Sequence, residues 1–136
     1  MELKKLVLVF LLVGMLSAQP IFAASSEIKV TDDWGNPINE VTVHKGDPLF
    51  AHAMLYVGNE WRGLRLLEFY IINENGNILG EPTYDYTNYA SGIAWARNIP
   101  TNQFQIKDYT LKVRYSGSPD GEWPEAETRI PIHVVA

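Results

Sequence analysis

From Ser25 onward, turn-forming residues interrupt the chain about every eight to twelve residues, a spacing that suits short strands and leaves little room for long helices. Asp32-Asp33-Trp34-Gly35-Asn36-Pro37 and Lys45-Gly46-Asp47-Pro48 combine Asx side chains, a glycine and a proline, each of which favours a turn for its own reason. Further breaks fall at Gly58 to Gly63, at Asn75-Gly76 and at Ser116 to Pro124. Asn-Gly is the favoured pair for a tight hairpin, because both positions then take a positive φ. Between the breaks, side chains alternate at period two, as a half-buried strand requires. In Leu49 to Val57, one face holds Leu49, Ala51, Ala53, Leu55 and Val57, and the other holds Phe50, His52, Met54 and Tyr56. Leu67, Phe69 and Ile71 alternate against Tyr70 and Ile72, and Tyr109, Leu111, Val113 and Tyr115 share a face. No segment beyond the first two dozen residues sustains a 3.6-residue period, so no helix longer than a turn or two is expected there.

These segments predict strands at Glu27 to Thr31, Val41 to Val43, Leu49 to Val57, Leu66 to Asn73, Ile78-Leu79, Ser91 to Ala96, Tyr109 to Tyr115 and Thr128 to Val135. Pro82 confines its own stretch of chain to an edge or a loop, and Asn98 to Asp108 reads as a connection. The total is about seven to nine strands in roughly 110 residues, one domain's worth. Two sheets that are each apolar on one face must cover one another. The expected fold is therefore all-β, an Ig-like Greek-key β-sandwich. The chain has no cysteine, which removes disulfides, thiolate metal sites, a lipoprotein attachment cysteine and a cysteine nucleophile together. The core alone must hold such a domain, and four Trp, seven Tyr and five Phe supply large side chains for it.

Ahead of this domain, Lys4 and Lys5 precede an apolar run from Leu6 to Leu16, with Pro20 and the small residues of Phe22-Ala23-Ala24 behind it. That order predicts a secretory signal peptide over residues 1–24 and a domain over 25–136. The apolar core is about eleven residues, short of the roughly 20 that span a bilayer. An uncleaved leader is the alternative, and the one membrane contact expected. The protein is expected to be secreted, extracellular or at the cell surface. Its formal net charge of −5, with no local Lys/Arg cluster, opposes nucleic-acid binding.

Several segments resemble a known family. Gly35-Asn36-Pro37, then Val41-Thr42-Val43 with Gly46-Asp47, resembles the opening of bacterial and archaeal Ig-like domains of the invasin/intimin type. Thr87-Asn88-Tyr89-Ala90-Ser91-Gly92-Ile93-Ala94, Asp108-Tyr109-Thr110-Leu111-Lys112-Val113-Arg114-Tyr115-Ser116-Gly117 and Ile130-Pro131-Ile132-His133-Val134 are similar to their second half and last strand. The resemblance implies a sandwich used in stalks, adhesins and accessory modules of exported surface proteins. Independently of family, Tyr109 at the start of a late strand is placed for a tyrosine corner, its hydroxyl bonding backbone near Ile106. Trp95, within an apolar strand, is expected in the core.

Catalytic signatures are missing from the sequence. His44, His52 and His133 are the three histidines, and His44 and His52 sit on different predicted strands with no adjacent His or Glu at metal spacing. Ser116-Gly117-Ser118 is turn chemistry rather than a nucleophile elbow. The Asp32-Asp33 pair and Glu125 with Glu127 give no sign of facing one another across a cleft, as glycoside hydrolysis would demand. No enzyme and no cofactor are expected; calcium on the loop acids Asp32, Asp33 and Asp47 is the one ionic alternative.

Aromatic residues carry the stronger signal. Trp34, Trp61 and Trp123 all fall in turns or loops, and Tyr84, Tyr86 and Tyr89 cluster in sequence. Exposed flat rings stack on sugar faces; the alternative is that each ring caps one end of the core. A third possibility is assembly by strand exchange through Glu27 to Thr31, with Pro82 and Glu125-Ala126-Glu127 acting as edge protection. The expected function is that of a non-enzymatic extracellular interaction or adhesion module. A carbohydrate-binding module and a strand-exchanging structural subunit are the alternatives. The expected partner is a protein or glycan at the cell surface, and the expected state is a monomer or a weak self-assembly.

Overall fold

Nine strands and no helix form among the described residues, which are 25–58, 60–99, 101 and 103–136 of the computed structural model, the side chains of 96–98 excepted. They are β1 (Ser26–Thr31), β2 (Val41–His44), β3 (Leu49–Val57), β4 (Glu60–Arg62), β5 (Leu66–Ile72), β6 (Ile78–Tyr86), β7 (Ile93–Ile99), β8 (Asp108–Tyr115) and β9 (Ala126–Val135). The expected signal peptide, and Pro100 of the expected connection, lie outside the described residues.

The alternation of β3 decides the packing. Leu49, Ala51, Ala53, Leu55 and Val57 all enter the core cluster. β8 and β9 match it from the other layer, with Tyr109, Leu111, Val113, Tyr115, Ile130, Ile132 and Val134 buried. Phe69, Leu67 and Leu55 are among the largest fully buried side chains. Burial on this scale contributes about 1.5–3 kcal/mol for each Leu, Ile or Phe, and it stands in for the missing disulfide.

One sheet runs β1-β3-β4, with β7 also pairing β3; the other runs β2-β9-β8-β5-β6. β1 takes one edge of β3, while β7 and β4 share the other, β7 against residues 49–54 and β4 against 55–57. The turn at 32–40 carries the chain across, so that β1 belongs to one sheet and β2 runs parallel to β9 in the other. β3 pairs β7, and β5 pairs β8. With β1 and β2 counted as one split first strand and β4 as an added hairpin arm, these are the second–fifth and third–sixth pairs of a Greek-key Ig-like sandwich. Tyr109 makes the corner: the Gln105 N–H donates to its hydroxyl at 2.9 Å, and Phe104 stacks on its ring at 4.7 Å.

Two details differ from expectation, and a third, at Pro82, refines it. Trp95 is not core. Ala94, with 0 % exposure, points inward, and Trp95 is 41 % exposed with its ring edge-on to His52 at 4.9 Å. The register with β3 sets this: Ala94 pairs with Ala53, which faces the core, and Trp95 pairs with His52 on the opposite face. The Asn75-Gly76 hairpin is not a two-residue turn: only Gly76 has positive φ, and Asn73 closes a longer loop by accepting the N–H groups of Asn75 and Asn77. β6 continues past Pro82 to Tyr86 as an edge strand, and its register shifts there, which accommodates the missing N–H.

Candidate functional site: an aromatic and arginine cleft

Trp61 sits on β4, a three-residue strand within the segment expected to be a loop, and opposite Tyr56. Its ring lies against Gly92, which has φ +72; a Cβ there would stand 2.7 Å from Trp61 Cε3 and 3.3 Å from Met54 Cε. Only glycine allows this approach. Met54 and His52 are buried on the outer face of the four-stranded sheet, outside the main core. Trp61 therefore rests on a second, smaller apolar floor while remaining 44 % exposed.

The segment after Trp61 is fastened to the one before β7. Leu64 N–H donates to the Thr87 carbonyl at 2.7 Å, Arg65 N–H to the Thr87 hydroxyl at 2.8 Å, and Thr87 N–H to the Arg65 carbonyl at 2.8 Å. Thr87 is wholly buried. Gly63 approaches the backbone of Asn88 and Tyr89 so closely that a Cβ would meet it at 2.8–2.9 Å. Tyr89, 77 % exposed, is thus carried beside Trp61 on backbone that is already ordered.

Trp123 arrives from the loop between β8 and β9. Its backbone N–H donates to Ser118 Oγ at 2.8 Å, and the Ser118 N–H returns to its carbonyl at 2.9 Å. Asp120 accepts from the Ser118 hydroxyl and the Glu122 N–H, which holds its carboxyl below the usual carboxylate range. One part of the Trp123 ring packs on the core. The Arg65 guanidinium carbon lies 3.9 Å from the ring centroid and that of Arg62 lies 5.5 Å away.

The result is an open cleft of about 750 Å³ bounded by Trp61, Tyr89, Trp123, Glu60, Arg62 and Arg65. A second depression of about 560 Å³ lies beside it, sharing Leu64 and Arg65 and bordered by Tyr86 and Tyr115. Both volumes fall in the range of small-ligand sites.

Of the aromatic residues singled out in the sequence, the structure brings together Trp61, Tyr89 and Trp123. Tyr86 borders the second depression. Tyr84 pairs with Glu68 across the β5–β6 ladder and does not line the cleft. Trp34, 87 % exposed, stands on the β1–β2 turn and does not line it either. Arg62, Arg65, Thr87 and the two glycines escaped the sequence reading; the signal available was the run Glu60-Trp61-Arg62-Gly63-Leu64-Arg65.

The acids considered for calcium are engaged in turns. Asp32 accepts the N–H groups of Trp34 and Asn36 at 2.9 Å and the Asn36 side-chain amide at 3.1 Å. These bonds, that from the Asn36 backbone foremost, hold its carboxyl below the ordinary range. Asp33 lies 3.5 Å from His52 Nδ1. Asp47, in the next turn, uses its carbonyl to accept the Thr101 hydroxyl. Among the described residues no three His, Cys, Asp or Glu side chains gather as a metal set. Compared with known proteins, the chain matches no family model and no curated protein sequence.

Proposed function

We propose that this protein is an exported, non-catalytic Ig-like interaction module that binds a glycan in the Trp61–Tyr89–Trp123 cleft. The observation that carries the reading is the convergence of three partly or largely exposed rings from three separate segments on one open site. Aromatic faces are apolar enough to stack on the C–H face of a pyranose and wide enough to span it. Their supports are backbone hydrogen bonds and glycine contacts, so little ordering remains to be done on binding. Export rests on the leader pattern of residues 1–24, and a surface role agrees with the resemblance to invasin- and intimin-type domains.

Native gels cast with soluble polysaccharides, neutral and acidic, test the reading. Retarded migration in at least one of them is expected, and Trp61→Ala and Tyr89→Ala should each restore free migration without changing the melting temperature by more than a few degrees. Unretarded migration in every gel, or retardation that both variants retain, overturns it.

A further inference from the structure

The cleft holds a cation that its own residues leave without an ion-pair partner. Arg62 is paired with Glu60 at 3.1 Å. Among the described residues, no carboxylate pairs with Arg65. Asp120, across the second depression, feels the Arg65 charge without an ion pair to it, and its Oδ1 accepts from the Ser118 hydroxyl and the Glu122 N–H. Of the five N–H donors of an arginine, one from Nη1 reaches the Leu64 carbonyl at 3.3 Å. The Nε atoms of both Arg65 and Arg62 are buried without a hydrogen-bond partner.

The setting of Arg65 is as informative as its charge. Its backbone is tied on both sides to Thr87, and its guanidinium packs on Trp123. A guanidinium held on a ring presents its donors from the edge, the fork geometry that a carboxylate accepts with two parallel bonds. This site belongs to a chain of formal net charge −5, so the attraction it offers an anion is local rather than global.

We infer that the cleft takes a carboxylate-bearing saccharide, its carboxylate on Arg65 and a sugar face on Trp61 and Tyr89. The inference rests on the glycan reading given above and names the charge of the ligand. The cleft's volume suits a short stretch of sugar chain, whereas a protein partner of ordinary kind covers about 800 Å² of surface. Because Arg65 borders both depressions, a chain longer than one sugar can continue past it toward Tyr86.

Calorimetric titration of the purified protein with oligogalacturonate and with its methyl ester tests the inference directly, since esterification turns each carboxylate into a neutral group and leaves the sugar rings unchanged. The acid form should bind about tenfold or more tightly than the ester, the fold-change that a lost charge-assisted hydrogen bond produces. Arg65→Met should erase that preference, and Arg65→Lys, which keeps the charge but not the fork, should retain part of it. A sialylated oligosaccharide in a parallel arm distinguishes uronic from sialic acid as the source of the carboxylate, and preference for either acid over its ester supports the proposal. Equal binding of acid and ester overturns the inference and leaves the glycan reading standing. Binding of neither, together with none of neutral oligosaccharides, overturns both. Tighter binding of oligoglutamate, or binding of dextran sulfate that Trp61→Ala leaves unchanged, also overturns the inference, in favour of an acidic peptide or of bare anion attraction.

Discussion

Arg65 lies over Trp123, its guanidinium carbon 3.9 Å from the ring centroid, and this contact joins the wall of the cleft to the loop between β8 and β9. Cation–π pairs contribute about 0.5–2 kcal/mol according to how far they are shielded from water. A double-mutant cycle with Arg65→Met and Trp123→Leu should give a coupling energy in that range by urea denaturation. A coupling indistinguishable from zero would mean that the two side chains are neighbours and no more.

Gly92 and Gly76 both have positive φ, yet only Gly92 has a neighbour in the way. Gly76→Ala should cost about 1 kcal/mol from backbone strain alone. Gly92→Ala adds a collision with the Trp61 ring and should cost about 2–3 kcal/mol. It should also abolish saccharide binding, which Gly76→Ala should leave intact. Equal effects of the two on binding would show that the seat of Trp61 does not matter.

Two histidines oppose one another in pH dependence. His133 stands between Asp108 at 2.7 Å and Glu40 at 3.1 Å, and these carboxylates, Asp108 first, raise its pKa above the ordinary 6.5. Its stabilising effect is complete below 6.5 and is lost as pH rises through the raised value. His52 is buried beside Trp95, and desolvation lowers its pKa below 6.5. Its contribution is complete above 6.5 and is lost as pH falls through the lowered value. Between about pH 5 and 8, the two together should place a maximum in melting temperature near neutrality. His133→Gln should flatten the alkaline side alone and His52→Gln the acid side alone. An unchanged alkaline slope in His133→Gln would discard the clamp.

Trp95→Ala should cost less than the roughly 3–5 kcal/mol of a core tryptophan, because its ring is 41 % exposed. Leu111→Ala, at a position with 0 % exposure, should cost about 2–5 kcal/mol. Tyr109→Phe, which leaves the Gln105 N–H without its acceptor, should cost about 1–3 kcal/mol. Denaturation midpoints for the three check the order; a loss at Trp95 as large as at Leu111 would contradict the exposed placement.

Trp95 also shows where the sequence was legible and where it was not. In β8, Asp108, Thr110, Lys112 and Arg114 mark the outer face, and in β5 Glu68 and Tyr70 do so, so alternation alone assigns Leu111 and Phe69 to the core. Ile93-Ala94-Trp95-Ala96 is apolar throughout, so period two cannot say which side faces in. The answer comes from the register with β3, which sets Ala94 beside Ala53 and Trp95 beside His52, and that is information about partners. The cleft divides in the same way. Trp61, Tyr89 and Trp123 could be noticed as turn and loop aromatics, because rings in such segments often lack cover. That they meet one another, and that Trp34 does not join them, comes from the β3–β4 turn and from Thr87 fastening its segment to Arg65. Those are contacts between residues distant in the chain, and no local pattern announces them.

The four tryptophans make the central claim measurable in one experiment. Each indole N–H gives a separate signal in a nitrogen–proton correlation spectrum, assigned by single Trp→Phe variants. Titration with oligogalacturonate should move the signals of Trp61 and Trp123, which border the cleft, and leave those of Trp34 and Trp95, which do not, in place. Shifts led by Trp34 or Trp95, or no shift at saturating saccharide, would contradict the assignment of the cleft as the binding site.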